Sequence, residues 1–231
     1  MKALLALSIS MSYLTALSGQ PDFGTLREQM VKEQLRARDI TSARVLEAMK
    51  TVPRHLFVRD QDQEAAYGDH PLPIGWGQTI SQPYMVAAMT QALDLRKGDK
   101  VLEVGTGSGY QAAVLAQMGM EVYTIEIVAP LGTQTKELLR KLGYDQVQTR
   151  IGDGYHGWPE AAPFDAIMVT AGGPTIPKDL LAQLREGGRM VIPLGKTQGV
   201  QELTRVTRRE GKIHTEVLMA VRFVPFTRNP N

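Results

Sequence analysis

The segment Val101-Leu102-Glu103-Val104-Gly105-Thr106-Gly107-Ser108-Gly109-Tyr110 decides the fold of this chain. Its apolar start predicts a buried strand, and the three alternating glycines predict a tight turn into a helix. Because glycine has no Cβ, such a turn lets the backbone approach a ligand closely. By itself the pattern is a weak indication of a nucleotide-type cofactor.

The residue at position 110 narrows the class of cofactor. The dinucleotide-binding pattern has its third glycine at this place, where this chain has Tyr110. S-adenosylmethionine (SAM) carries no pyrophosphate that must sit on the helix N-terminus. The segment therefore favours SAM over NAD.

Strands and helices alternate after this segment. We predict strands at 100–105, 121–126, 147–152, 164–170 and 188–194, with helices at 109–118, 130–142 and 177–185. This alternation indicates an α/β fold with a doubly wound, mostly parallel sheet. The stretches 201–209 and 212–224, joined by Glu210-Gly211, predict a C-terminal antiparallel hairpin.

The region before the glycine segment is predicted to be helical and then loop-rich. Apolar periodicity over 24–50 predicts N-terminal helices, with Thr41 as an N-cap between two of them. Residues 51–82 contain several prolines and glycines and are expected to form loops. Pro83 suits the first turn of a helix that runs to about Leu93.

Composition excludes several classes of function. The chain has 231 residues, 43% of them hydrophobic, which fits one domain over 21–231. A net charge of +2 with scattered basic residues gives no indication of a nucleic-acid partner. With 0 cysteines there is no thiolate metal site or cysteine nucleophile, and the four histidines lack the spacing of metal ligands, so we expect no metal.

The N-terminal segment 1–20 allows two interpretations. The segment resembles a secretory signal peptide, with Met1-Lys2, an apolar stretch and then small residues near Leu17. The alternatives are an extended first helix or a start codon that has been assigned too far upstream. Serines and threonines interrupt the stretch too often for a membrane span, so no stable membrane association is expected. SAM is made and kept in the cytosol, which favours a cytoplasmic protein; export to the periplasm is the alternative if Met1–Ser18 acts as a signal.

Three predicted strand ends supply candidate cofactor ligands, because ligands of open α/β sheets lie beyond the carboxyl ends of the strands. Glu126 ends the second strand, where its carboxylate can accept both ribose hydroxyls, and Asp153 ends the third, where it can accept the adenine amino group. Taken singly, each could equally be a solvated acid or a turn former. The predicted cofactor-binding residues are Glu103, Gly105, Thr106, Gly107, Ser108, Gly109, Glu126, Asp153 and Gly154.

Five motifs follow one another between about residues 25 and 226. The most specific runs from Leu72-Pro73-Ile74-Gly75 through Gly77-Gln78-Thr79-Ile80-Ser81-Gln82-Pro83. The others are Val104–Tyr110, Gly152-Asp153-Gly154, Phe164-Asp165-Ala166-Ile167 with Thr170-Ala171, and the tail Val221-Arg222-Phe223-Val224-Pro225. In these motifs, their order and their spacing the chain resembles the protein-L-isoaspartate O-methyltransferase family. His55 departs from that family, in which an acidic residue is common at this place.

The resemblance implies that the methyl group of SAM goes to the α-carboxylate of L-isoaspartyl residues in damaged peptides and proteins. Ser81 corresponds to the family's active-site serine, and we expect its hydroxyl to orient that carboxylate; an N-cap before Pro83 is the structural alternative. Thr79 and Ile80 would shape the same pocket. Val221 and Val224 would hold the peptide in an extended form, and a monomer is expected.

Other methyltransferases and a binding protein are the competing interpretations. Amine N-methyltransferases usually carry an Asn/Asp-Pro-Pro-Tyr/Phe loop where this chain has Thr170-Ala171-Gly172-Gly173-Pro174. A methyltransferase of corrin biosynthesis is disfavoured by the Gly77–Ser81 segment. A domain that binds SAM without turnover is disfavoured by the intact Ser81.

Overall fold

The computed structural model describes residues 22–196 and 199–228 of the chain. The predicted leader, 1–20, lies outside these described residues. The helices are α1 (Phe23–Gln29), α2 (Ala43–Thr51), α3 (Pro83–Ala92), α4 (Tyr110–Gln117), α5 (Ala129–Lys141) and α6 (Lys178–Gln183), with a π-helical segment at Met30–Arg36. The strands are β1 (Leu72–Gly75), β2 (Gln78–Ile80), β3 (Lys100–Val104), β4 (Glu121–Glu126), β5 (Gln148–Ile151), β6 (Phe164–Val169), β7 (Leu184–Gly195), β8 (Gln201–Arg209) and β9 (Lys212–Val221).

Seven of these strands form one sheet in the order β5-β4-β3-β6-β7-β8-β9. The five strands from β5 to β7 run parallel, and β8 and β9 add to them in antiparallel fashion. The predicted α/β fold with a mostly parallel sheet and a closing hairpin is therefore confirmed. The direction of winding reverses at β3, because β4 lies on one side of it and β6 on the other.

Side chains bury both faces of the central strands. Val101 packs into the larger core with the N-terminal helices, whereas its neighbour Leu102 packs into a second core on the opposite face, which also holds Leu180 of α6. Successive residues of a strand point to opposite faces, so a strand covered on both sides needs a continuous apolar run. This is why the apolar segment before Gly105 predicted its strand correctly.

Two details of the N-terminal region differ from the predictions. Thr41 is not the N-cap of α2: the Ser42 hydroxyl accepts from Val45 N at 3.4 Å, whereas the Thr41 hydroxyl lies 3.5 Å from Gln91 Oε1. The stretch predicted as loop holds the short antiparallel pair β1–β2, in which Leu72 lies opposite Ile80. These strands are too short to show a periodic pattern, and burial of their apolar residues stabilises them.

In the part of the chain that the structure describes, no helix has the length and apolar character needed to cross a membrane.

Candidate active site

A cleft opens at the carboxyl edge of the sheet, beside the reversal point at β3. Its walls come from the β3–α4 turn, the end of β4, the β1–β2 region and the C-terminal tail. From the predicted site it gathers Glu103, Gly105, Thr106, Gly107, Ser108, Glu126, Gly154, Thr79, Ile80, Ser81 and Val224. Ligands of open α/β sheets bind at this edge, so the cleft is the candidate ligand site.

Thr170, at the end of β6, holds the glycine turn in place. Its hydroxyl lies 3.0 Å from the carbonyl oxygen of Val104 and 2.9 Å from that of Gly105. Gly105 has φ +98°, and a Cβ there would lie 2.3 Å from the Thr170 hydroxyl oxygen. The turn therefore requires glycine at 105. Thr170 was not among the site residues predicted from the sequence.

Glu126 is anchored by the backbone around it. Its two carboxylate oxygens accept N–H groups from Gly107 at 2.8 Å and Val128 at 2.9 Å. The side chain is buried against the cleft. Each carboxylate oxygen has a further lone pair, so the group can still accept hydroxyls of a sugar.

Glu103 is fully buried at the bottom of the cleft. The Thr124 hydroxyl donates to one of its oxygens at 2.6 Å, while the other oxygen has no hydrogen-bond partner among the described residues. Burial raises the pKa of this carboxyl to about 8. A buried acid with a free oxygen fits a ligand that brings a positive charge, and SAM carries an ammonium and a sulfonium group.

Asp153 and Gly109 lie outside the lining of the cleft. Asp153 accepts from Tyr155 N at 2.9 Å and from Arg228 Nε at 2.7 Å. Burial alone would raise the pKa of its carboxyl, but the hydrogen bond from Arg228 and that from the Tyr155 backbone hold this pKa below its ordinary value. Gly109 has φ +84° and faces Thr135 of α5, so its position serves the packing of α4 on α5. Their predicted contacts with the cofactor stay predictions.

Gln111 is a further polar residue of the cleft that the sequence analysis missed. The Thr90 hydroxyl donates to the carbonyl oxygen of Val86 at 2.7 Å, so it can only accept from Gln111 Nε2, at 2.9 Å. This fixes the amide orientation and leaves Gln111 Oε1 as an acceptor at the cleft, since no described residue donates to it. A glutamine in an apolar helix gives no sequence signal for such a role.

A second, open groove meets the cleft at Ser81. Thr79, Ser81, Thr170 and Val224 line both the cleft and the groove, and we call these four residues the junction. Val221 lines the groove but not the cleft. Ser81 does not cap α3: the N-cap residue is Gln82, and the Asp69 carboxylate accepts from Tyr84 N at 3.0 Å. The Ser81 hydroxyl is therefore free for a ligand at the point where the two cavities join.

Among residues 22–196 and 199–228, no group of three or more His, Cys, Asp or Glu side chains is arranged to hold a metal ion.

The chain matches known proteins over most of its length. Residues 25–231 match the family described as protein-L-isoaspartate(D-aspartate) O-methyltransferase. The chain is 61% identical over 202 residues to the protein-L-isoaspartate O-methyltransferase of Opitutus terrae, which covers 87% of each protein. It is 53% identical over 199 residues to that of Gloeobacter violaceus, which covers 86% of this chain and 97% of the relative.

Two solved structures share the fold over most of the chain. One is a protein-L-isoaspartate O-methyltransferase at 28% identity and a TM-score of 0.78; the match covers 88% of this chain and 65% of that chain. The other is a putative protein-L-isoaspartate O-methyltransferase from Plasmodium falciparum in complex with S-adenosyl-L-homocysteine, at 27% identity and a TM-score of 0.76. This second match covers 91% of this chain and 100% of that chain.

Proposed function

This chain belongs to the protein-L-isoaspartate(D-aspartate) O-methyltransferase family, and from that premise we propose how its cleft, groove and junction share the reaction. The protein transfers the methyl group of SAM to the α-carboxylate of L-isoaspartyl residues in damaged proteins, which initiates their repair. SAM is its cofactor. We assign SAM to the cleft and the isoaspartyl peptide to the groove.

The observation that supports this assignment is the composition of the junction. Thr79, Ser81, Thr170 and Val224 offer hydroxyls and an apolar side chain, and none of the four side chains titrates near neutral pH. An amine acceptor would need a base to remove its proton, whereas a carboxylate is already ionised at neutral pH. A junction without an acid or base therefore suits a carboxylate acceptor.

The chain's residues contribute position and the exclusion of water. When bound, SAM supplies a methyl group on a positively charged sulfur, so no metal is required for reactivity. Glu126, anchored through both oxygens, would hold the ribose hydroxyls, and Glu103 would face the positive charge of the cofactor. Charge is neutralised as the carboxylate attacks, and a water-poor junction that orients both groups favours this step.

We assign the Ser81 hydroxyl to the acceptor carboxylate. Among the described residues, no hydrogen bond involves this hydroxyl, and Ser81 lies where the groove and the cleft meet. It would donate to the carboxylate and fix its direction of attack. Thr79 and Ile80 would shape the pocket around it, and the extended backbone from Val221 to Val224 would pair with the peptide.

The organisation of the whole protein follows the same proposal. We propose that residues 21–231 act as one methyltransferase domain and that the protein works as a monomer. A cytoplasmic location agrees with a cofactor kept in the cytosol. The scattered basic residues support a protein substrate without a nucleic-acid partner.

The test of the function is methyl transfer from labelled SAM to two synthetic peptides that differ only in L-isoaspartate against L-aspartate. We expect base-labile label in the isoaspartyl peptide alone, because the ester forms only on the displaced α-carboxylate. Equal labelling of both peptides, or none by a protein that still binds S-adenosylhomocysteine, would contradict the proposed acceptor.

Ser81→Ala tests the role of the junction. A hydrogen bond to a charged group contributes about 1.5–3 kcal/mol, so we expect kcat to fall about 10- to 100-fold. The affinity for S-adenosylhomocysteine, measured by calorimetry, should change less than about twofold. Ser42→Ala, which removes the α2 cap far from the site, is the control for lost stability. Equal losses of kcat and affinity in Ser81→Ala would contradict the assigned role.

A further inference from the structure

The C-terminal tail, Val224–Arg228, crosses the cleft and is fastened to the loop after β6. Gly172 N donates to the carbonyl oxygen of Val224, and Phe226 N donates to the carbonyl oxygen of Gly172, both at 2.8 Å. Between these bonds and Arg228, the residues Val224, Pro225, Phe226 and Thr227 line the cleft. The tail is therefore a wall of the cofactor site that the chain adds after its last strand.

Arg228 holds the far end of this tail. Its Nε donates to the Asp153 carboxylate at 2.7 Å, and its guanidinium lies 3.9 Å from the centroid of the Tyr155 ring. Its Nη2 lies 3.2 Å from His156 Nε2. Arg228 thus contacts three residues of one short segment: Asp153 through an ion pair, Tyr155 through its ring and His156 through a hydrogen bond.

A second carboxylate sets the orientation of this contact. Since a guanidinium can only donate, His156 Nε2 accepts from Arg228, and the proton of the neutral imidazole sits on Nδ1. His156 Nδ1 then donates to Asp179 Oδ2 at 2.7 Å. A series of hydrogen bonds, Asp179–His156–Arg228–Asp153, therefore connects α6 to the tail and to Asp153, the predicted ligand of the adenine.

We propose that Arg228 is a positioning residue for the cofactor, which clamps the tail onto Asp153 and keeps the adenosine part of the cleft closed. The inference rests on the proposed cofactor role of Asp153. Asp153 still has lone pairs for the adenine amino group, because each oxygen accepts a single hydrogen bond from the described residues. Release of Arg228 frees Thr227, the residue that lines the cleft beyond the backbone bond at Phe226, so the clamp controls how fast the cofactor leaves.

The size of the effect follows from the exposure of the clamp. The Arg228 side chain is 45% exposed and that of Asp153 is 12% exposed, so water screens the ion pair in part. A pair of this kind contributes about 1 kcal/mol, which corresponds to about a fivefold change in a dissociation constant. Since contacts that close a site act mainly on dissociation, the rate at which S-adenosylhomocysteine leaves should rise by a similar factor.

The test uses the full chain and measures S-adenosylhomocysteine binding by calorimetry and its release by stopped flow. Arg228→Ala should raise the dissociation constant and the release rate about fivefold. Arg228→Lys should recover part of this, because lysine keeps the ion pair but loses the stacked guanidinium. Arg209→Ala is the control, since it removes an exposed arginine at the opposite end of the sheet and should leave binding unchanged.

A mutant cycle with Asp153→Asn separates a clamp from a general loss of structure. In that background Arg228→Ala should have little further effect on binding, whereas a structural role would cost the same in both backgrounds. Unchanged binding in Arg228→Ala, or an altered peptide KM at unchanged cofactor affinity, would overturn the inference. These outcomes leave the proposed function intact, which would instead fail if the unaltered protein did not bind S-adenosylhomocysteine or methylate the isoaspartyl peptide.

Discussion

Glu103→Gln should make the protein more stable towards neutral pH and weaken its hold on the cofactor. Glu103 lies fully buried in the cleft, where Thr124 donates to one oxygen and the other has no partner among the described residues. Glutamine has the size of the protonated acid and can still accept from Thr124. The substitution therefore fixes this side chain in its neutral form.

The magnitude follows from the pKa of this carboxyl. Burial raises the pKa of Glu103 from 4.5 to about 8, so between these two pH values the folded state keeps a proton that the unfolded chain has lost. The contribution of this proton to the stability of the folded protein is complete below pH 4.5 and is lost as the pH rises through the folded pKa near 8. At about 1.4 kcal/mol per pH unit, the variant should gain about 3 kcal/mol relative to the unaltered protein between pH 5 and about 7.5.

Cofactor binding should show the opposite preference. The positive charge of the cofactor favours ionised Glu103, so its affinity should rise towards about tenfold per pH unit from pH 6 to the pKa near 8. In Glu103→Gln this dependence should disappear, and the affinity at pH 8 should be about 10- to 100-fold lower.

Urea unfolding of both proteins at several pH values, with calorimetric titration of S-adenosylhomocysteine, measures both effects. Glu47→Gln, at an exposed position of α2, is the matched control and should follow the unaltered protein. Parallel stability curves for Glu103→Gln and the unaltered protein would refute the reasoning about burial. An unchanged pH dependence of binding would refute a contact between Glu103 and the ammonium group, which is the one positive charge that S-adenosylhomocysteine shares with SAM.

Two further predictions concern the ribose ligand and the glycine turn. Glu126→Gln replaces one acceptor by a donor that faces a backbone N–H, so calorimetry should find about tenfold weaker binding of S-adenosylhomocysteine, while Glu121→Gln at the exposed start of β4 should bind normally. Unchanged affinity in Glu126→Gln would contradict the ribose contact. Gly109→Ala adds a Cβ 2.7 Å from Thr135 Cγ2 at φ +84° and should cost about 2–4 kcal/mol in urea unfolding. Gly143→Ala, at φ +81°, adds a Cβ that meets nothing within 4 Å and should cost only the backbone strain of about 1–2 kcal/mol. Equal losses of stability in the two variants would show that packing at Gly109 is unimportant.

The sequence predicted the parts of the fold that have a strong local signal. Strands buried on both faces carry largely apolar runs, and parallel strands need a helix between them, so β3, β6 and the buried part of β7 could be located from the pattern alone. Elements stabilised by distant contacts escaped prediction. The pair β1–β2 is short, and Ser42, not Thr41, caps α2 at a helix start where the distant Gln91 accepts from the backbone N–H of both residues.

The candidate site divides in the same way. Gly105 and Glu126 end predicted strands, and Glu103 lies near the end of the first of them. Parallel strands bring their carboxyl ends to one edge of the sheet, so the neighbourhood of these residues was implied by their order along the chain. The contacts of Thr170, Gln111 and Arg228 join residues 21–75 positions apart, as Thr170 with Gly105, Gln111 with Thr90, and Arg228 with Asp153. No local pattern marks such partners.

By itself, the sequence determined the sheet, the glycine turn and the family, because these depend on periodicity and on motifs in a fixed order. Only the tertiary structure decided which side chains meet in space. It freed Ser81 from capping, left Glu103 with an unpartnered buried oxygen, and placed the tail over the cleft with Arg228 on Asp153. Burial and hydrogen bonding depend on all the elements that surround a residue, and they exist only once the chain has packed.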